Sequence, residues 1–498
     1  MSGTQVVPNF TFNEIPSPLY RPGSYMEVRP NYANIGILPF PARNLIIGNM
    51  LTAGSATPDI IQANVVEPAQ ATALFGAGSI AEAMVIAYLN SGAQIPLDVI
   101  GVSDAAGAVA ATFTVSFSGA WSTSGTTAIA IAGKRYALGT QSTDTVSTMA
   151  TALAAAVNAD PHAPVTASAA LGVVTFTAKN KGLAGNDILG FVSPASGDTL
   201  PKGMIVTVAA DGTLGATNPT LNVSDITGMW YTGIAIAWQD APNLQALAAE
   251  LARRFNANVR EDGIAFTCLT GTYGQALAAI PNINSPFIAA LPMTSPGSPP
   301  WAVSASLLGV ASQKLMEDPS LQLRDLALPG IVGPQRPDLL DDTEQENMLA
   351  GKGSTFNVLR DGTVTLQRVV STYTTNAQGV SDIAAWFDIM ETAVASRIRY
   401  DWRTYFSDLF PTNKLAPDGS LAAEYNLNVC TPSRAKGAWT SRLLTYAKAG
   451  WVQNETADAR AALFKIDDSD RNRLDYQVQY TRIGNLIVDA GVLMFAAG

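Results

Sequence analysis

His162 is the only histidine in the chain, so a Ser-His-Asp or Cys-His centre would have to be built on it. It stands in ADPHAP (159–164), a polar turn with a proline on either side, and reads as a solvated loop residue. The same count removes histidine-rich zinc sites and the HExxH metalloprotease pattern. Cys268 and Cys430 are the only cysteines, and their separation gives neither a CxxC ligand pair nor a disulfide framework. Cys268 lies in the apolar run GIAFTCL and reads as a small core residue, as expected in a reducing cytoplasm.

Phosphate chemistry fares no better. Gly76 and Gly78 in FGAGS precede a capped helix, but full GxGxxG and the GxxxxGK[ST] lysine are missing, leaving a plain strand-to-helix turn. Asp467, Asp468 and Asp470 lack the alternating ligands and central glycine of a calcium loop, and read as a solvated turn. Asp338, Asp341, Asp342, Glu344 and Glu346 suit an exposed helix start, where negative charge meets the helix dipole. One charged constellation is left: Arg397, Arg399 and Arg403, interleaved with Tyr400, Trp402 and Tyr405. At helical spacing 399 and 403 share a face and 397 is displaced. They either pair locally with Asp388, Glu391 or Asp401, or form a contact surface for an acidic partner, since arginine and aromatics are enriched at interface hot spots.

These residues must be carried by a folded chain of 498 residues, enough for roughly three domains. Only 14% of residues are charged, against about 25% in an average soluble domain. A large monomer so poor in charge would tend to associate, which points to a subunit whose surface is buried by partners. The net charge of −10 opposes nucleic-acid binding, which rests on neutralising phosphates. Residues 483–498 are apolar but contain Asp489 and fall short of the ~20 residues of a membrane span. The first ten residues lack the basic and apolar regions of a secretory signal.

The pattern predicts a mixed α/β, multidomain chain. Residues 1–24 read as an extended arm, with Pro8, Pro16, Pro18 and Pro22 between the apolar anchors Phe10, Phe12, Ile15, Leu19 and Tyr20. The arm could lie along its own domain or reach a neighbour. Residues 25–98 begin an α/β core: a strand at 45–48, a helix from 79 to 90 with a Ser79/Glu82 capping box, and a strand at 97–102. Residues 99–224, rich in Ala, Gly, Thr and Ser, read as an inserted β-rich domain. Its strands are expected at 112–118, 126–131 and 173–178, with a helix through Val146, Met149, Leu153 and Val157 capped at Ser142-Thr143. The discontinuous core resumes over 225–410, with a helix capped by Asn243, strands at 263–269, 286–291 and 362–372, and a helix over 301–316. A long helix from Ser381 bears Ile383, Trp386, Phe387, Met390 and Val394. Residues 411–498 form a C-terminal domain with a helix at 441–448, ending in an arm of strands from about 471. There Leu474, Tyr476, Val478 and Tyr480 alternate with polar residues, and Leu486, Val488, Val492 and Met494 follow Gly484-Asn485. Left as an edge, such a chain end would aggregate, so its own sheet or another subunit must cover it.

Several segments together resemble the tail sheath proteins of contractile-tailed phages, in particular the Mu-like branch. They are FNEIPSPLYRPGSYMEV (12–28), RNLIIG (43–48), AGKRYALGTQSTDTVSTMATALAAAVNADPHAPVTAS (132–168), VVTFTAKNKGLAGNDI (173–188) and LRDLALPGI (323–331). EQENMLAGKGSTFNVLRDGTVTLQRVVSTYTT (344–375), RIRYDWRTYF (397–406) and RNRLDYQVQYTRIGNLIVDAGVLMF (471–495) complete the set. The resemblance implies a structural protein without cofactor, metal or catalytic site. Its subunits would stack as helically related hexameric rings around a tail tube, with terminal arms adding strands to neighbours' sheets. Contraction would then drive the tube through the host envelope. Partners implied are further copies of the chain, the tail tube protein, and baseplate and tail terminator proteins, with assembly in the host cytoplasm and residence in the virion tail. Arg399 and Arg403 become candidate tube contacts, and the inserted domain is expected on the outside. A contractile bacteriocin or injection device would use the same subunit, and a non-sheath α/β enzyme is the rival class.

Overall fold

The computed structural model describes residues 20–26, 36–193, 195, 197–209, 212–382, 386–492 and 494. Phe10, Phe12, Ile15, Leu19 and Ile383 lie outside them. The chain forms two compact units, each discontinuous in sequence. The larger takes Phe40–Arg399 with the described part of Ile483–Gly498, and the smaller takes Tyr400–Arg482 with the described part of Met1–Pro39.

The larger unit starts with β1 (Asn44–Asn49), β2 (Ile61–Gln62), α1 (Pro68–Phe75), α2 (Ile80–Asn90) and β3 (Leu97–Val102). The inserted region supplies β4 (Thr112–Ser118), β5 (Gly125–Ile131), β6 (Lys134–Thr140), α3 (Val146–Asn158), β7 (Val165–Ala170), β8 (Val173–Ala178), β9 (Gly190–Val192) and β10 (Ile205–Ala209). Then follow β11 (Gly233–Ile236), α4 (Ala241–Phe255), β12 (Ile264–Thr270), α5 (Tyr273–Ile283), β13 (Ile288–Met293) and α6 (Pro300–Glu317). The last elements are β14 (Ala327–Val332), α7 (Asp342–Ala350), β15 (Thr355–Val358), β16 (Thr363–Arg368) and α8 (Ile389–Leu409), within which the division between the units falls.

Among the described residues the main sheet has six strands in the order β13-β12-β11-β1-β3-β2, parallel except for β2. Its central strand β1 is buried at every position, which is why it reads as a continuous apolar run rather than an alternating one. Helices α2 and α6 pack so closely that a Cβ at Gly309 would stand 2.0 Å from Ser91 Oγ. At one end of the sheet the fully buried carboxylate of Asp98 accepts from Arg43 Nη1 at 2.7 and 2.9 Å, from Asn64 N at 2.9 Å and from Tyr231 OH at 3.1 Å. Burial and that carboxylate push the Tyr231 phenol well above its usual range.

In the inserted region β10-β4-β8-β7 and β6-β5-β9 are antiparallel sheets packed with α3. The strands β6 and β7 were not expected. They are joined to their partners by the two-residue turns Ala132-Gly133 and Leu171-Gly172, with φ of 50° and 81°, and 49° and 83°. Both are positive-φ hairpin turns, without the Asn-Gly signal that usually marks them. Several helix starts also differ from expectation. Thr145, not Ser142-Thr143, caps α3, and Asp240, not Asn243, caps α4. Asn243 is buried in the first turn, where its Oδ1 accepts from Leu221 N at 2.7 Å. Ser79 does cap α2, but Glu82 turns back to Gly78 N rather than completing the box at Ser79. FGAGS joins helix α1 to α2, not a strand to a helix. The long helix begins at Ile389 rather than Ser381, because Phe387 O is bonded to Ser371 N and Asp388 bridges Val370.

The smaller unit continues with β17 (Lys414–Leu415), α9 (Leu421–Tyr425), β18 (Val429–Cys430), α10 (Pro432–Lys448), β19 (Val452–Gln453), α11 (Glu455–Ala461), β20 (Leu463–Ile466), β21 (Leu474–Gln477) and β22 (Thr481–Arg482). The helix expected at 441–448 is the end of the longer α10. Asp401, wholly buried, accepts from Arg442 Nε and Nη2 at 2.5 Å, from Tyr446 OH at 2.6 Å and from Leu38 N at 2.9 Å. Arg442 also donates to Gly36 O at 3.0 Å, so one ion pair fastens 36–38, α8 and α10 together. Removing one member of a buried pair strands the other charge. Asp401→Asn should therefore cost about 3 kcal/mol of stability, and the Asp401→Leu/Arg442→Met double substitution less than the sum of its single changes. Urea unfolding of the wild type, the three single variants and the double variant tests this.

Candidate functional site

In a parallel α/β sheet the ligand crevice lies beyond the carboxyl ends of the strands, where the strand order reverses. Here that point is between β1 and β11, and the inserted region fills it. Trp238 Nε1, just past β11, donates to Asn49 Oδ1 at 2.7 Å, and Asn49 Nδ2 donates to Asp104 at 2.8 Å. Asn180, between β8 and β9, donates to Asp104 and to Met50 O at 3.1 Å each, and accepts from Ile80 N at 3.0 Å. Beside them Asp187 accepts from Gln239 Nε2 and Thr270 Oγ1, both at 2.8 Å. Burial pushes its carboxyl up to about 6, opposed by those two hydrogen bonds.

A cavity of about 660 Å³ opens next to this plug, lined by Met50, Thr52, Asp104, Lys179 and Lys181 among others. Lys179 is tied to Ala77 O and Pro161 O at 3.2 and 2.8 Å. His162 was expected in solvent. It is half exposed, but its Nδ1 lies 2.8 Å from the buried Glu82 carboxylate, tying the 159–164 turn to α2. Among the described residues no group of three His, Cys, Asp or Glu side chains could hold a metal. The polar residues at this end of the sheet bind one another.

The terminal segments are arranged differently. Leu474 and Tyr476 lie in β21, paired in register with Ile466 and Phe464 of β20. Tyr476 stacks on Phe464 at 5.5 Å and meets Trp402 edge-on at 6.1 Å. Val478 and Tyr480 follow, and β22 pairs with β19. Of the two ways of covering this segment, its own sheet or another subunit, the described residues up to Arg482 show the first, with Tyr476 on Trp402. Beyond Arg482 no strand pairs with the chain among the described residues. Ile483, Asn485 and Ile487 are half-buried, and Arg324 donates to Ile487 O at 3.2 Å. The alternate residues Leu486 and Val488, with Val492 and Met494 beyond, are 76% to 89% exposed. At the other terminus Tyr20 is 88% exposed.

The arginines also separate. Arg399 donates to both oxygens of Asp262 and, at 2.8 Å, to Phe255 O, and its guanidinium lies 4.1 Å from the Phe255 ring centroid. It is tied to partners within the larger unit with its side chain 30% exposed, which is the local-pairing alternative for this arginine. The partner is none of those expected nearby: Asp388 pairs with Arg368, and Asp401 with Arg442. Arg403, in the smaller unit, lies over the Tyr400 ring at 5.8 Å and is partly exposed. Arg397 stacks on Phe40 at 4.8 Å.

No family model matches the chain. The Mu-like prophage FluMu tail sheath protein of Haemophilus influenzae is 29% identical over 415 residues, covering 83% of this chain and 84% of that one. The chain is similar over most of its length to a contractile tail sheath protein. Sheath proteins are structural rather than catalytic, and the fold described here is mixed α/β with discontinuous units. Among solved structures, the contracted sheath complex of an extracellular contractile injection system is 11% identical, with a TM-score of 0.49, covering 96% of this chain and 98% of that one. A sheath tail protein from Desulfitobacterium hafniense is 12% identical, with a TM-score of 0.45, covering 93% and 100%. Both TM-scores are below 0.5, and the similarity rests on the sequence relative.

Sequence reasoning missed the residues that close the carboxyl end of the sheet. Asn49, Asp104, Asn180 and Asp187 are far apart in the chain, and polar residues after strands were the only signal. Because the folded-state pKa of Asp187 is raised above its unfolded value, the folded state holds the proton more tightly, and stability falls as pH rises from about 4 to about 6. Asp187→Asn should flatten that decline and gain on the order of 1–2 kcal/mol at pH 7, the full shift being discounted for partial exposure. Thermal melts between pH 4 and 7 measure it. Arg399→Glu should cost about 2 kcal/mol or more by stranding the buried Asp262 carboxylate, whereas Arg403→Glu should change stability by less than about 0.5 kcal/mol.

Proposed function

We propose that this chain is the subunit of a contractile tail sheath: it polymerises with copies of itself as helically stacked hexameric rings around a tail tube and contracts to drive the tube through a host envelope. The observation that carries the reading is the chain after Arg482. Among the described residues its backbone has no ladder partner, and its outward apolar side chains, Leu486, Val488, Val492 and Met494, stand in solvent. An unpaired apolar strand is suited to β-augmentation, in which a neighbour's sheet edge supplies backbone hydrogen bonds and pockets for alternate side chains. The N-terminal arm, with Phe10, Phe12, Ile15, Leu19 and Tyr20, is the second connector. Baseplate and terminator proteins would bound the polymer. It would assemble in the host cytoplasm and reside in the virion tail.

Within this reading residues 99–224 face outwards, and the tube contact falls to Arg403 rather than to Arg399. Ending the chain at Arg482 removes the unpaired segment and leaves the β20–β21 and β19–β22 pairs intact. That protein should be soluble, melt cooperatively and fail to form hollow polymers by electron microscopy. Ending it at Asp470 should in addition unfold the smaller unit. Normal polymers from the chain ending at Arg482 would refute the exchange.

A further inference from the structure

Lys352 sits in the turn Gly351-Lys352-Gly353 between α7 and β15, at φ 70°. Its side chain is wholly buried and, among the described residues, its ammonium has no hydrogen-bond partner. An ammonium carries three donors, and leaving them without acceptors in a dry site is costly. What it has is the Phe387 ring, 4.2 Å from Nζ to the centroid. A cation over an aromatic face recovers only part of the lost hydration. Even that ring is shared, for the Arg368 guanidinium lies 4.6 Å from the same centroid while it pairs with Asp388 at 3.0 and 3.3 Å.

The charged groups facing Lys352 are Glu391 and Asp388 at the base of α8, Asp382 before it, and Arg368 at the end of β16. None of the three carboxylates is an ion-pair partner of Lys352 among the described residues. Burial pushes the lysine down to about 8, the carboxylates opposing and Arg368 adding to the fall. At neutral pH the group is therefore mostly a buried, incompletely satisfied cation. The ring over it is held by Ser371 N to Phe387 O at 2.9 Å, Ser371 Oγ to Trp386 O, the Val370–Asp388 bridge, the Arg368–Asp388 pair, and Thr392 Oγ1 to Pro286 O at 2.7 Å.

We propose that Lys352 is a destabilising cation built into the base of α8, making residues 386–392 the part of the larger unit that opens first. Opening this segment lets water reach the ammonium, so the cost of burying it is released where α8 begins. The device is a local release point that needs no ligand.

The test uses the full-length subunit and Lys352→Met, which keeps the chain length and sets a thioether over the ring. At pH 7 the variant should melt a few degrees higher and exchange its amides over 386–392 at least about tenfold more slowly, a pKa change of one unit being a factor of ten. The folded-state pKa is lowered, so the wild type gains stability as pH rises from about 8 to about 10.5. The gap between the two proteins should close over that window. Phe387→Leu removes the ring that faces the ammonium and should lower the melting temperature more at pH 7 than at pH 10.5. A Lys352→Met protein that is less stable at pH 7, a gap independent of pH, or an equal loss in Phe387→Leu at both pH values would overturn the proposal.

Discussion

The larger unit depends on a parallel sheet whose two ends are both closed by buried polar side chains. At one end Asp98 collects Arg43, Asn64 and Tyr231, and so joins the approaches to β1 and β11 to the strand β3 between them and the edge. A carboxylate with no exposure is tolerable only because each of its oxygens is occupied by charged or neutral donors. At the opposite end Asn49, Asp104, Asn180 and Trp238 make a second closed network. A doubly wound sheet ordinarily leaves that end open for a ligand. Here two loops of the inserted region occupy it, which is a physical reason for the absence of chemistry in a fold that often carries it.

The same economy of partners explains the low charge content. Arg254 and Arg442 are buried, and Arg43, Arg368 and Arg399 are paired within the units. These arginines serve architecture rather than the surface. Arg254 shows the pattern: it meets Glu250 on its own helix and donates to the carbonyls of Met229 and Ile226, closing a turn that has no regular structure of its own.

What could be read from sequence was what local periodicity controls. The strands β3, β4 and β8 fall where alternation or an apolar run placed them, and α6 lies within a residue or so of expectation. Caps were less legible. Ser142-Thr143 and Thr145 are chemically equivalent cap residues, and only the phase of the helix selects between them. The start of α8 was hidden for another reason: the stretch before Ile389 has helical periodicity, but Phe387 and Asp388 are held by Ser371 and Val370, so tertiary pairing overrides propensity. The partner of Arg399 could not be read at all, because Asp262 reaches it from a different strand end.

The terminal strands show how far a period-two reading goes. From Leu474 to Thr481 the alternation leaves one apolar face, which packs in part on the Trp402, Phe464 and Trp439 cluster while Tyr476 stays half exposed. From Ile483 to Val488 both faces are apolar: Ile483 and Ile487 on one, Leu486 and Val488 on the other, with Gly484 and Asn485 between. A segment of this kind needs a surface on each side, as a strand in the middle of a layered structure has. Among the described residues the unit that carries it supplies only one, and the half-buried odd residues and exposed even residues follow from that.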